Sequence, residues 1–409
     1  MMVKLLKKVM VLVLAGGRGE RLGPLTKDRT KPAVPFGGLY RIIDFSLSNA
    51  INSNLRKMIV LVQYKCVSLN RHLRDGWSFL SNALGEYIEP ISPQQRVGDR
   101  WYTGTADAVF QNIYSIEKED PEHVLILAGD HIYKMDYNHI LKFHRDNNAD
   151  ITISLVEVNK GESSRFGIVE IDKNNQVGGF QEKPPVELAR TIPGTPANCY
   201  ASMGIYVFKT AVLCKLLQQD ALDEKSSHDF GKDIIPNALS AHRILGFNFI
   251  DENKQGPKYW RDVGTIEAYY EASMDLISVT PQLNLYDNDW PIHTAQIQAP
   301  PPKFVFADSD RMGMALDSLV CAGGIISGGR VQNSILSPNV RINSYASVSH
   351  SILFEGVQVG RRAKIKKAII DKDVKIPEGM EIGYNHEDDR RRFTVIENGI
   401  VVISKGEIL

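Results

Sequence analysis

Val9-Met10-Val11-Leu12-Val13-Leu14-Ala15-Gly16-Gly17-Arg18-Gly19-Glu20-Arg21-Leu22 is the stretch that decides how this chain is read. Seven consecutive apolar residues, rich in Val and Leu, suit a strand buried on both faces, and they run directly into clustered glycines. Preceded by lysines, the run superficially mimics a secretory leader, but it is short and opens onto glycine, so a buried strand is the simpler reading. Glycines at a strand end let main-chain N–H groups approach a phosphate without Cβ obstruction, while Arg21 and Lys31 can neutralise its oxygens. The spacing is not that of a Walker A loop, which needs GK[ST], and it lacks the last glycine of the dinucleotide fingerprint. A phosphate cradle is favoured over a purely structural turn.

Working outward, short apolar runs recur at residues 58–62, 124–128, 151–156 and 205–208. Ile43, Leu47, Ile51 and Leu55 precede one of them at helical spacing, as do Ala106, Val109, Ile113 and Ile116 before another. Strands alternating with amphipathic helices predict an α/β fold with a mostly parallel sheet covered on both faces. Residues 286–303 lose periodicity and end near Pro300-Pro301-Pro302, which predicts an extended, semi-rigid connection. Beyond it, apolar residues stand six apart: Leu319, Ile325, Val331; Ile342, Val348, Phe354; Ile370, Ile376, Ile382. That period predicts a parallel β-helix with one inward residue per flat side. The expected organisation is a catalytic domain over 1–285, a linker over 286–303 and a hexapeptide-repeat domain over 304–409.

Composition narrows the function. In 409 residues, 48 Lys plus Arg balance 48 Asp plus Glu, so no bulk charge draws the chain to nucleic acid or an acidic membrane, and any anion site must be local. No apolar stretch approaches the ~20 residues that span a bilayer. Cys66, Cys199, Cys214 and Cys321 are widely spaced, which disfavours structural zinc or a disulfide framework and fits a reducing cytoplasm.

Asp130 follows the run 124–128 and should stand at the carboxyl edge of a parallel sheet, where open α/β folds bind ligands. Asp262 precedes a helix whose Ile266, Tyr270, Met274 and Ile277 give an apolar face. Two carboxylates suffice for Mg²⁺, which keeps waters and takes its other oxygens from substrate phosphates.

The chain resembles the bacterial ADP-glucose pyrophosphorylases (glucose-1-phosphate adenylyltransferases) of the sugar nucleotidyltransferase family along essentially its whole length. The motifs are LAGGRGERL with TKP, YRIIDFSLSNAINS, WYTGTADAVFQN, LAGDHIYKMDY, FQEKP, ASMGIYVF, SSHDFGKDIIP, YWRDVGTIEAYYEASMDL and the hexad tail, in that order. The resemblance implies a Rossmann-like catalytic domain, a left-handed parallel β-helix, a homotetramer, ATP and glucose 1-phosphate as substrates, and ADP-glucose made for glycogen synthesis. It implies that Gly16, Gly17, Arg21 and Lys31 hold the ATP phosphates, with Asp130 and Asp262 on Mg²⁺ and Arg21, Lys31 and Asp130 as the catalytic set. Tyr102, Gly104 and Thr105 would lie near adenine and ribose, with either Gln94 or Gln95 reading the base. Gly167, Glu182, Lys183, Ser202, Tyr206, Asp229 and Trp260 would form the glucose 1-phosphate pocket, where Trp260 can lay an aromatic face on the sugar.

The same resemblance implies regulation by small anionic metabolites bound between the domains, with Arg29, Arg41, Arg361, Lys364, Lys366 and Lys367 as candidates. Asp28 stands where some activated relatives carry a basic residue. Competing readings are a pyrophosphorylase for UTP, dTTP or GTP, an acyltransferase using His350, and a non-catalytic regulatory chain of the same fold. Retention of Arg21, Lys31, Asp130, Lys183 and Asp262 together argues against the last.

Overall fold

The computed structural model describes residues 8–94, 101–251 and 256–409. Its first unit is built on a nine-stranded sheet: β1 (Val9–Leu14), β2 (Lys57–Leu61), β3 (Tyr87–Ile91), β4 (His123–Ala128), β5 (Ile151–Asn159), β6 (Gly167–Ile171), β7 (Val177–Glu182), β8 (Asn198–Lys209) and β9 (Ile244–Asn248). The order β7-β6-β8-β4-β1-β2-β3 places β1 between β2 and β4, parallel to both. The run 9–14 is thus the centre of the sheet, which explains its unbroken apolar character. Strand β8 pairs antiparallel with β4, β5 and β6, and a register shift between Ser202 and Tyr206 lets one strand serve all three. The four apolar runs all form sheet strands. Helices Ile42–Asn52 and Val67–Trp77 make the crossovers from β1 and β2.

Helical periodicity is met only in part. The segment read as one helix through Ile116 is two, Thr105–Phe110 and Ile113–Glu119, separated at Gln111 and Asn112, whose buried side chains bond locally. In helix Ile266–Asp275 the buried face is Ile266, Tyr269, Ala272 and Ser273, one position off the expected stripe, because this face meets the second unit.

That second unit is a parallel β-helix of three sheets, whose rungs stack residues such as Arg330, Ser347, Lys364 and Glu381. A strict hexad would give eighteen residues per turn, but stacked neighbours along this stretch lie seventeen apart. One side therefore takes five residues. Ile342, Val348, Leu353, Val359, Ile365, Ile370 and Ile376 fill the interior, and Phe354, expected inside, leaves it for the domain junction against Tyr269. Ile326 similarly takes the inward slot expected for Ile325. On the side formed by Leu319–Val320, Ile335–Leu336, Ile352–Leu353, Ala368–Ile370 and Val401–Ile403, both faces are covered. Leu336, Leu353 and Ile370 point into the solenoid. Ile335, Ile352 and Ile369 pack on Leu22, Phe36, Phe45 and Tyr269 of the first unit, so the two share a continuous apolar core.

The connection 286–303 carries no regular element before Lys303 and is pinned along helix Ile42–Asn52. Trp290 Nε1 donates to Asn49 Oδ1 at 2.9 Å and Thr294 Oγ1 to Asp44 Oδ2 at 2.7 Å. Among the described residues, no helix is long and apolar enough to cross a membrane.

Candidate functional site

A cleft of about 770 Å³ opens at the carboxyl ends of β1, β2 and β4, and eleven of the residues singled out from sequence line it: Gly16, Gly17, Arg21, Lys31, Tyr102, Gly104, Thr105, Asp130, Glu182, Tyr206 and Asp229. They come from seven separate segments, and sheet topology brings them together. Two glycines are needed for close approach. Gly19 has φ +66°, and a Cβ there would sit 2.9 Å from Lys31 Cβ; a Cβ on Gly104 would lie 2.2 Å from the His228 carbonyl.

Asp130 follows β4, and the strand Trp260–Asp262 pairs antiparallel with His131–Tyr133 so that Asp262 stands opposite His131. This ribbon carries Asp262 beside Asp130, residues that 131 intervening positions separate in the sequence. Between the two carboxylates sits Lys31, its Nζ donating to Asp130 Oδ2 at 2.9 Å and to Asp262 Oδ1 at 2.7 Å. Lys31 and Asp262 are nearly fully buried, while the Asp130 side chain is one-third exposed to the cleft. Burial alone would raise both carboxyl pKa values, but the Lys31 ammonium, with His131, holds Asp130 and Asp262 below the usual carboxylate range. Burial likewise opposes the charge on Lys31, and the two carboxylates outweigh it, raising its pKa. All three are charged at neutral pH.

Ligand atoms of Asp130, His131 and Asp262 lie within 4.8 Å of one another, so this cluster can hold a divalent cation. The donor set suits a hard ion through its two carboxylates, with the cleft side open to phosphate oxygens and water. Two arginines border it: Arg21 Nη2 is 3.8 Å from Asp262 Oδ2, and Arg165 Nη2 donates to the Asp262 carbonyl at 3.2 Å.

At the opposite end, Asp229 caps the turn Phe230–Ile234 by accepting from Gly231 N and Lys232 N, and its other oxygen accepts from Thr105 Oγ1 at 2.9 Å. Glu182 pairs with Lys183 at 2.9 Å, and Lys183 has φ 49°, which turns the chain after β7. Ser202 Oγ donates to Tyr206 OH at 3.3 Å. Gly167 pairs with Glu182 across β6 and β7, where a Cβ would collide with Phe180. Trp260 does not line the cleft, and neither do Gly167, Lys183 or Ser202. The Trp260 ring is packed between His131 and Phe166, with centroids 5.0 and 5.2 Å away, because its strand faces the core there.

Gln94 bonds to Ser92 O and borders a separate groove with Tyr87 and Gln111, across β3 from the cleft; Gln95 lies outside the described residues. A glutamine that sequence reading passed over, Gln63, is buried in the cleft wall and donates to Tyr102 O at 3.1 Å. Its place just past the end of β2, equivalent to that of Asp130 after β4, is the signal that was available. At the mouth, Arg18 lies 4.7 Å over the ring of Tyr64, which stacks on Trp101.

The candidate effector residues divide. Arg29 is buried at the domain junction, its Nη2 donating to both carboxylate oxygens of Asp371 at 2.9 and 3.0 Å while Nη1 has no hydrogen-bond partner among the described residues. Arg41 donates to Ser68 and lines an interdomain cavity of about 320 Å³ with Arg71 and Lys372. Arg361, Lys364, Lys366 and Lys367 stand apart from that junction. Lys364 pairs with Glu381 on another side of the solenoid, Arg361 covers Tyr345, and Lys367 bonds Asn398 O. Strand Lys364–Lys366 alternates exposed, buried, exposed, which turns both lysines away from the first unit.

The model of the nucleotidyl transferase family matches residues 10–279, and that described as GlmU-like, C-terminal hexapeptide matches 300–403. Curated relatives carry the name glucose-1-phosphate adenylyltransferase. That of Koribacter versatilis is 55% identical over 395 residues, covering 96% of this chain and 94% of its own. That of Rhodopirellula baltica is 53% identical over 410 residues, covering 99% and 92%. One from an Anaeromyxobacter species is 50% identical over 405 residues, covering 97% and 98%.

Proposed function

Because the chain belongs to the nucleotidyl transferase family, among relatives named glucose-1-phosphate adenylyltransferase over nearly their full lengths, we propose that it joins ATP to α-D-glucose 1-phosphate, giving ADP-glucose and diphosphate. The observation that carries this reading is the convergence of Asp130 and Asp262 on Lys31, with Lys31 and Asp130 lining one cleft together with Glu182, Tyr206 and Asp229. A sugar phosphate is already anionic at neutral pH, so its oxygen attacks the α-phosphorus without a general base, and no seryl or cysteinyl nucleophile is needed. The site's task is positioning and charge stabilisation.

Main-chain N–H groups of residues 16–19 and the side chains of Arg21 and Lys31 hold the triphosphate and stabilise the diphosphate as it leaves. Asp130 and Asp262 would hold Mg²⁺, which when bound polarises the α-phosphate. Glu182 and Asp229 accept from sugar hydroxyls, and Lys183 meets the sugar phosphate. Tyr102, Gly104 and Thr105 form the wall for the nucleoside. Residues 1–285 are the catalytic unit, 286–303 the connector and 304–409 the solenoid. Metabolite control, where present, centres on the interdomain cavity at Arg41, Arg71 and Lys372. A cytoplasmic homotetramer fits the free cysteines and the solenoid sides that remain uncovered.

Diphosphate release from ATP, UTP, dTTP and GTP, each with glucose 1-phosphate and Mg²⁺, tests the assignment. ATP should be preferred by at least about tenfold in kcat/KM. A preference for another nucleotide, or no release that depends on the sugar phosphate, overturns it.

A further inference from the structure

We infer that Lys31 is a resident counter-cation which a divalent ion must displace: the ammonium occupies the place of the metal and moves onto phosphate when the ion enters. The inference rests on the reading of Asp130 and Asp262 as the metal pair. Nζ contacts one oxygen of each carboxylate, at 2.9 and 2.7 Å. An ion bound through the same oxygens at ~2.0–2.1 Å would lie almost on top of the nitrogen, so the two cations are mutually exclusive there.

The surroundings explain why lysine holds this post and how it can leave. Two carboxylates this close repel one another, and the other cations near Asp262, Arg21 and Arg165, approach its Oδ2 only to 3.8 Å. Without Lys31 the nearest basic groups to the pair among the described residues are His131, 3.6 Å from Asp130 Oδ1, and the two arginines at 3.8 Å from Asp262 Oδ2. The backbone at Lys31 is fixed: it is buried, Thr30 before it is extended with ψ 155°, Pro32 follows, and Lys31 Cβ packs under Gly19. The four-carbon side chain is not fixed, since rotation moves its ammonium several ångströms from a stationary Cα. Gly16 and Gly17 line the same cleft, so a displaced ammonium lies beside the phosphate cradle. One charge thus serves twice: it neutralises the carboxylates in the free protein and the phosphate oxygens in the complex.

The test uses Mn²⁺ alone with nucleotide-free protein, counting free ion by electron paramagnetic resonance. Lys31→Met should bind Mn²⁺ at least tenfold more tightly than wild type, and its melting temperature should rise further on adding Mn²⁺. Equal or weaker binding by that variant overturns the exchange. Asp130→Asn and Asp262→Asn separate this failure from failure of the site reading: if Mn²⁺ binding survives both, the metal pair itself is misassigned and the exchange falls with it. Should Lys31→Met not fold, wild-type crystals soaked in Mn²⁺ decide the matter. An ion between the carboxylates with Nζ withdrawn from both supports displacement, and an ion there with both Nζ contacts intact refutes it.

Discussion

Arg29 and Lys31 stand two residues apart, each a buried cation gripped by carboxylate, yet they do opposite work. Thr30 between them is extended, so their side chains leave the chain in different directions. Arg29 reaches into the solenoid, where its Nη2 donates to both oxygens of Asp371, both side chains almost wholly buried. Lys31 reaches the carboxylates of Asp130 and Asp262, the first of which faces an open cleft. The always-charged guanidinium, shut away from solvent, suits a permanent junction, and the single ammonium on a flexible stem suits a contact that must break. Identical charge and burial therefore do not identify a functional site. Access to a cleft and an exchangeable partner do.

The largest effect tests the open side of this contrast. Asp130→Asn should lower kcat by about 10²-fold or more, with little change in melting temperature, since the loss falls on charge organisation at the α-phosphorus. Near-normal turnover, measured by diphosphate release, would remove its central role. On the closed side, Asp371→Asn leaves a guanidinium buried without its counter-charge and should destabilise the protein by about 3–5 kcal/mol, while the folded fraction turns over within a few-fold of wild type. Denaturant titration with parallel assays checks this, and a kcat loss as large as that of Asp130→Asn would erase the distinction.

At a third buried site the only carboxylate in ion-pair range among the described residues is Glu122, 3.6 Å from His123 Nε2. His123 and His144 meet edge to face at 5.1 Å, and burial pushes His144 down to about 3, with His123 also lowered. The unfolded chain binds a proton near pH 6.5 that folded His144 refuses, so stability is fully present above that pH and lost as pH falls toward 3. That loss is about 2 kcal/mol between pH 7 and 5. Replacing His144 by Gln should flatten the slope, and an unchanged slope by denaturant titration at several pH values would contradict the assignment. The smallest effect belongs to the exposed pair Lys364 and Glu381, where Lys364→Ala should leave the denaturation midpoint unchanged within error.

Much of the architecture was legible because its signals are local. An apolar run ending in glycines reads most simply as a buried strand feeding a loop, and Asp130 could be placed from the strand before it. Partners set by tertiary structure were harder. Ile335-Leu336, Ile352-Leu353 and Ile369-Ile370 are apolar doublets, which signal a solenoid side covered on both faces, but a six-residue template counts only one of each. Connector 286–303 looks free in sequence because its anchors, Asp44, Ser48 and Asn49, lie on a distant helix. Lys372 reaches the interdomain cavity, whereas the denser basic run 361–367 carries Lys364 and Lys366 on another side, a difference of solenoid side that charge counting cannot see. Trp260 went behind the cleft for the same kind of reason: pairing with Tyr133 fixes its direction.

In the proposed reaction one cleft aligns a sugar phosphate directly on the α-phosphorus, with no covalent adenylyl-protein between them. Turnover of ATP made chiral at that phosphorus by a single sulfur substitution tests this directly. One in-line displacement predicts ADP-glucose with inverted configuration, and retention would contradict it by requiring two displacements through an enzyme-bound intermediate.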